Sequence, residues 1–182
     1  MIRTISLLAA LALTACTGGA GTNFADNVTR DLIYPNYEPI SVSVFAGGGG
    51  NAVIVGTTRD GASAEEIAAN IRLPAFVAPR TIRAATEAQT GPHLVLVFAP
   101  QGRTTPRRAC SGQAQGGQAG DTLVVLGVFC SSFGTPVSEG LFTASGSPVP
   151  SDPDFRQRLS VLMNNIMPVR NPDFQGEPRI GG

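Results

Sequence analysis

Residues 94–98, Leu94-Val95-Leu96-Val97-Phe98, and residues 123–129, Leu123-Val124-Val125-Leu126-Gly127-Val128-Phe129, decide the fold. Each is a short, nearly continuous apolar run rich in Val and Leu, the pattern of a strand buried on both faces. No helical pattern lies between them. They are therefore expected to pair antiparallel, together with a further short strand at 141–145. Between the two runs sits a long polar stretch, RTTPRRACSGQAQGGQAG (103–120). Thr105-Pro106 can open a helical turn, with Pro at the first helical position. Residues 111–120 hold only Ser, Gly, Gln and Ala, so the composition predicts a mobile loop.

Helices are read on either side of these strands. Ser63 followed three residues later by Glu66 is a capping box, with Ile67 and Ile71 on one face and Pro74 as the stop. Glu65 and Glu66 are best read as first-turn acids favouring the helix dipole rather than as a catalytic pair. Asp152 and Pro153 open a final helix, with Phe155, Leu159, Leu162 and Ile166 as its apolar stripe. Asp152 and Asp154 resemble a metal pair, but capping accounts for them. Nearer the start, residues 26–34 read as a short helix capped by Asp26. Ser41 to Ala46 alternates like a strand, and Gly47 to Gly50 then makes a hairpin tip before a second strand at 52–55. Residues 81–87 are assigned to a strand. The glycine run lacks the Gly-Lys-Ser/Thr of a P-loop and the helix-opening G-x-G-x-x-G of a dinucleotide site. The expected class is α+β: a mostly antiparallel sheet with two main helices on one face and one disulfide.

The first residues carry a different message. One positive charge at Arg3 precedes the apolar run Ile5 to Leu13, and small residues Thr14 and Ala15 lead to Cys16. That is the layout of a secretory signal, too short for a membrane span. Leu13-Thr14-Ala15-Cys16 resembles the lipobox of bacterial lipoproteins. The resemblance implies cleavage before Cys16, diacylglycerol on its sulfur, and a lipid-anchored envelope protein facing the periplasm. Thr17 at the next position, where Asp would favour the inner membrane, leans the expectation to the outer membrane. The chain of 182 residues divides accordingly into a signal at 1–15, the lipidated cysteine and flexible tether at 16–24, one domain at 25–167 and a tail at 168–182. The tether 17–24 reaches about 28 Å at most.

With Cys16 assigned to lipid, Cys110 and Cys130 remain. In an oxidising compartment such a pair closes a disulfide. A thiol-redox pair usually shows Cys-x-x-Cys and a zinc site needs four ligands, and neither pattern is present. If the two central runs pair antiparallel, Cys130 lies away from the loop, and the arm 101–110 has to fold back along the sheet to bring the Cα atoms within about 7 Å. Between Val53 and Asp173, LVLVFAP (94–100), Cys110, VFC (128–130) and MPVRNPD (167–173) resemble a group of uncharacterised alphaproteobacterial lipoproteins. That resemblance implies export and the disulfide, and no particular activity.

Chemistry is sparse. Apolar residues are 42% of the chain, enough for a core, and the formal charge is zero, which excludes a long-range pull toward nucleic acid. All 13 basic residues are Arg, as a GC-rich genome produces. The single histidine, His93, stands at a strand start, and no G-x-S-x-G or H-E-x-x-H surrounds any candidate. Arg103, Arg107 and Arg108 are the one basic cluster, a possible contact for an anionic group, although such loop arginines are usually solvated. Asn27-Val28-Thr29 is a glycosylation sequon without meaning in a bacterium. No catalytic residue, metal ligand or cofactor is expected. The expected role is a non-enzymatic binding or scaffolding lipoprotein with an envelope protein partner; the alternative is an envelope hydrolase or thiol-redox enzyme.

Overall fold

A computed structural model describes residues 27–86 and 91–174. Cys16, Asp26 and residues 175–182 lie outside the described residues. The elements are β1 (Asn27–Ile33), α1 (Pro39–Gly47), β2 (Asn51–Val55), α2 (Ala64–Ala69), β3 (Arg83–Ala85), β4 (His93–Phe98), α3 (Pro106–Cys110), β5 (Thr122–Cys130), β6 (Pro136–Ser145) and α4 (Pro153–Ile166), with a 3-10 turn at Pro172–Phe174. The fold is α+β, built on one six-stranded sheet in the order β1-β6-β5-β4-β2-β3.

The two central runs behave as their composition requires. In β4, Leu94, Leu96 and Phe98 face one core, while Val95 and Val97 face another. In β5, Leu123, Val125 and Phe129 alternate in the same way with Leu126, Val128 and Cys130. They pair antiparallel from His93↔Cys130 to Phe98↔Val125. The β5–β6 and β1–β6 pairs are antiparallel as well, but β2 runs parallel to both β4 and β3. The sheet is thus mixed rather than mostly antiparallel. The short crossover through α2 makes the parallel β2–β3 pair possible.

Helices do not keep to one face. α1, α2 and α4 cover the larger core, whereas α3 covers the second face with Ala109 and Cys110. A sheet apolar on both sides has to be covered on both sides. α4 seats closely because Gly127 and Gly140 face each other in the β5–β6 register. A Cβ on Gly127 would stand 3.1 Å from Leu162 and Ile166 side-chain atoms.

Two local expectations at the start of the domain are exchanged. Residues 27–33 form an edge strand, not a helix. The β-branched Val28, Thr29 and Ile33 suit it, and Asn165 on α4 donates to Thr29 Oγ1 at 2.7 Å. Residues 39–47 form a helix, not a strand, so Gly47 to Gly50 join a helix to β2 and there is no hairpin. The buried residues are Val42, Phe45 and Ala46, a helical i, i+3, i+4 set, with Val44 exposed. Pro39 pre-sets the first turn, and Phe45 packs edge-to-face on Phe129 with centroids 5.6 Å apart. The period-two alternation of Ser and Val was compatible with both, and burial selects the helix.

The stretch 111–120 is knitted into the sheet rather than mobile. Gly117 donates to the Phe98 carbonyl at 3.0 Å, Thr57 donates to the Gly117 carbonyl at 3.0 Å, and Ala119 donates back to Thr57 at 2.9 Å. Gln115 N donates to Thr104 Oγ1 at 2.9 Å. Backbone lies on backbone here: a Cβ at Gly56, whose φ is +78°, would stand 2.4 Å from the Gly117 oxygen. Gly61 has nearly the same φ, +77°, but open space around it. Gly61→Ala should therefore cost only the left-handed backbone term, about 1–2 kcal/mol. Gly56→Ala adds the collision and should cost clearly more, above about 3 kcal/mol. Urea unfolding of the two variants checks this; equal losses would mean that the close approach does not matter.

The assignments of α2 and of the α4 stripe hold locally, while of the strand assigned to 81–87 only Arg83–Ala85 is one among the described residues. Ser63 and Glu66 form the capping box, with Ser63 N–H donating to Glu66 Oε2 at 2.8 Å. Phe155, Leu159, Leu162 and Ile166 of α4 are buried. Asp152 occupies the N-cap, but its carboxylate accepts from the Val149 N–H at 2.9 Å instead of capping the helix. Residues 168–174 dock on the domain: Tyr37 donates to the Pro168 carbonyl at 2.6 Å, and buried Asn171 donates to the Tyr37 carbonyl at 3.0 Å.

Candidate functional site

The disulfide is the best-defined of the residues singled out by sequence. Cys110 and Cys130 are joined, with Cα atoms 5.6 Å apart. α3 climbs the second face of the sheet to reach the end of β5, the fold-back that antiparallel pairing required. Both cysteines are buried, 1% and 0% exposed, which removes the access that thiol exchange needs. Across the register from Cys130 stands His93. It is 1% exposed, and its Nδ1 donates to the Gly91 carbonyl at 2.9 Å, while Nε2 has no partner among the described residues. His93 is thus a buried first residue of β4, not a residue at an exposed edge.

The three arginines fall on two neighbouring segments. Arg103 lies exposed in the loop after β4, and Arg107 and Arg108 lie on α3. Arg107 is exposed; Arg108 is half-buried, and its Nε is covered without a partner. Thr105 caps this short helix by accepting from the Arg108 N–H.

The structure also brings together a pair that the sequence did not reveal. Asp31 on β1 and Glu139 on β6 line a groove of about 300 Å³ with Gln101, Gly102, Thr104 and Leu126. Asp31 sits at a register shift between Arg30 and Ile33, with a φ of +53° that Asp tolerates better than most residues. Reading β1 as a helix hid this neighbourhood, because the pairing with β6 creates it. Burial, and then the charge of Asp31, push the Glu139 carboxyl above its ordinary range. Two carboxylates in unequal surroundings can divide a proton between them, the chemistry of an acid–base pair. The described residues include no group of three His, Cys, Asp or Glu side chains that could hold a metal. Elsewhere, burial and then neighbouring charge raise the hydroxyl pKa of Tyr34, with Asp173 as that neighbour; Tyr37 is raised by burial and then by Tyr34. Both tyrosines are structural, donating to the Asn165 and Pro168 carbonyls.

Two further grooves are open. One of about 480 Å³ is lined by Arg72, Leu73, Val77 and Arg80, and one of about 570 Å³ by Val53, Val55, Ala109 and Gly112. No described helix is long and apolar enough to cross a membrane.

No family model matches the chain, and no curated protein matches it. Among solved structures the chain is similar to a PelC dodecamer from Paraburkholderia phytofirmans, at 18% identity and a TM-score of 0.35, over 79% of this chain and 96% of that one.

Two outcomes follow from the geometry. A native protein should show no free thiol at Cys110 or Cys130, and Cys110→Ala should cost roughly 3 kcal/mol under oxidising conditions, the chain-entropy value for a loop of this size. Calorimetry with and without reductant checks it. For Glu139, the folded pKa lies above the unfolded one, so the stability it contributes is complete below pH 4.5 and is lost as pH rises through the folded pKa. Glu139→Gln should flatten the stability profile above pH 4.5, where the wild type loses stability as Glu139 ionises. Parallel profiles for the two proteins would show that Glu139 is not held in a costly ionised state.

Proposed function

We propose that this chain is a lipid-anchored protein of the bacterial cell envelope, held by acyl chains on Cys16 and facing the periplasm, in the outer rather than the inner membrane. Its role is non-enzymatic: it binds or scaffolds another envelope component, a protein rather than nucleic acid. The observation that carries the reading is Leu13-Thr14-Ala15-Cys16 directly after an apolar run and directly before a Gly-rich tether. Stable anchoring by lipid takes two or more chains, as the lipobox resemblance implies, because a single chain holds only marginally. A buried disulfide, Cys110–Cys130, supports an oxidising compartment. The binding role is supported by exposed apolar side chains on a domain otherwise closed around its core, Phe133 at 92% exposure above all.

One observation favours the second reading, an envelope hydrolase: the Asp31–Glu139 groove with its raised carboxyl. Burial of both cysteines argues against the thiol-redox version of that alternative.

Palmitate labelling tests the anchor. Wild-type chain should incorporate label and fractionate with the membrane, while Cys16→Ser should do neither. A Cys16→Ser protein that still labels and stays in the membrane fraction would sink the proposal. Loss of an envelope phenotype in Asp31→Asn/Glu139→Gln, with anchoring and fold intact, would instead favour the enzyme.

A further inference from the structure

The sheet has two unlike ends. The chain enters at Asn27, paired with Ala144, and that near end also holds Phe98, Thr122 and Val55. The far end holds the start of β2 and β4, the β5–β6 turn, α1, the 71–82 connection and the C-terminus of α4. Of the large apolar side chains that are exposed among the described residues, Ile33, Ile40, Val44, Phe76, Phe133 and Val169 lie toward the far end; Leu32 is mid-strand and Val28 is near the chain's entrance. The asymmetry has local causes. Residues 39–56 contain no charged residue, so α1 is apolar on both sides and shows Ile40 and Val44, one turn apart, to solvent. Phe133 is 92% exposed on a turn fixed by Ser131 N–H to the Thr135 carbonyl at 2.9 Å and by Ser131 Oγ to Thr135 Oγ1 at 2.8 Å. An aromatic held on a rigid turn is ordered before anything binds it, which lowers the entropic cost of docking.

We propose that the far end is the docking face of the domain, and that its occupant is a protein surface apolar at the centre and carrying carboxylates at the rim. The inference rests on the anchored reading above, since the segment that carries the proposed lipid joins the domain at Asn27, on the near end. Ten residues separate Cys16 from Asn27, eleven Cα steps that span at most about 40 Å. β5 alone, nine residues, is about 30 Å long. Turning the far end onto the same bilayer would draw the tether nearly taut along the sheet, whereas a protein meets that end with the tether relaxed. The rim chemistry comes from Arg72, Arg80, Arg83 and Arg170, which outnumber Glu38, Glu139 and Asp173 at this end; Arg72, Arg80 and Arg170 have no carboxylate partner among the described residues. Arg72 is held in place by donating to the Ala69 and Ile71 carbonyls at 2.9 and 3.0 Å, and it shares the groove of about 480 Å³ with Arg80.

The test is photo-crosslinking of the full chain in living cells, with p-benzoylphenylalanine placed singly at positions 44, 133 and 169 of the far end and at 28 and 59 of the near end. Protein adducts are expected from the far-end positions only, and Arg72→Glu/Arg80→Glu should lower their yield at position 169 by about tenfold or more, because reversed rim charges would face the partner's carboxylates. Lipid adducts from the far end, equal adducts from both ends, or none would overturn the proposal. Adducts to a second copy alone would overturn it too, because the occupant would then be this chain and not a separate partner with an acidic rim. Melting of the Arg72→Glu/Arg80→Glu protein with the wild type keeps a lost adduct from being a folding defect. Palmitate on Cys16, read in the same cells, separates the two claims: an unlabelled chain with the far-end pattern would defeat the anchor and leave the docking face standing.

Discussion

The structure depends on a sheet whose central strands are apolar on both faces. β4 is buried at every residue from His93 to Phe98, so neither side can be left to water. Burying such side chains is worth about 1.5–3 kcal/mol each, and leaving one face open would forfeit half of that. Three helices settle the first face. Among the described residues the second has the five residues of α3 and the polar stretch after it, little apolar surface with which to hold itself down. The disulfide and the backbone clasp at Gly56, Gly116 and Gly117 supply what the missing core cannot. Gly116 belongs to the same clasp, since a Cβ there would stand 2.6 Å from the Val55 carbonyl oxygen.

What was legible in the sequence follows from the same physics. β4, β5, α2 and α4 were readable because each carries its own signal: a continuous apolar run, a capping box, a Pro-opened amphipathic stripe. The cysteine pair was readable because compartment and pairing geometry both constrain it. The exchange of β1 and α1 was not readable. NVTRDLI is an edge strand, mostly exposed, with no alternation to report, and SVSVFA satisfies both periods until Phe129 and the larger core select one. The clasp was hidden for a further reason. Gly and Gln composition signals freedom when nothing is nearby, and what is nearby here is the backbone of two other strands. The Asp31–Glu139 groove exists only once β1 lies on β6, so no local pattern could mark it.

The proposed function rests on the two ends of this sheet. The near end receives the chain and its proposed lipid; the far end gathers the exposed apolar residues and the unpaired arginines. The stapled second face makes the domain one rigid block between them, so that whatever meets Phe133 is held at a fixed distance from the entrance at Asn27. A mobile cover at residues 111–120 would loosen α3, and with it the Cys110 end of the staple beside the Phe133 turn, where a Cβ on Gly134 would stand 3.5 Å from the Cys110 carbonyl oxygen.

Native-state hydrogen exchange on the oxidised protein tests this central claim most directly. If the second-face cover is part of the core, the amides of Gln115, Gly117 and Ala119 open only with the sheet, and their protection approaches that of Leu94 to Phe98. Exchange of those three amides at the rate of an exposed loop, while β4 stays protected, would contradict the account.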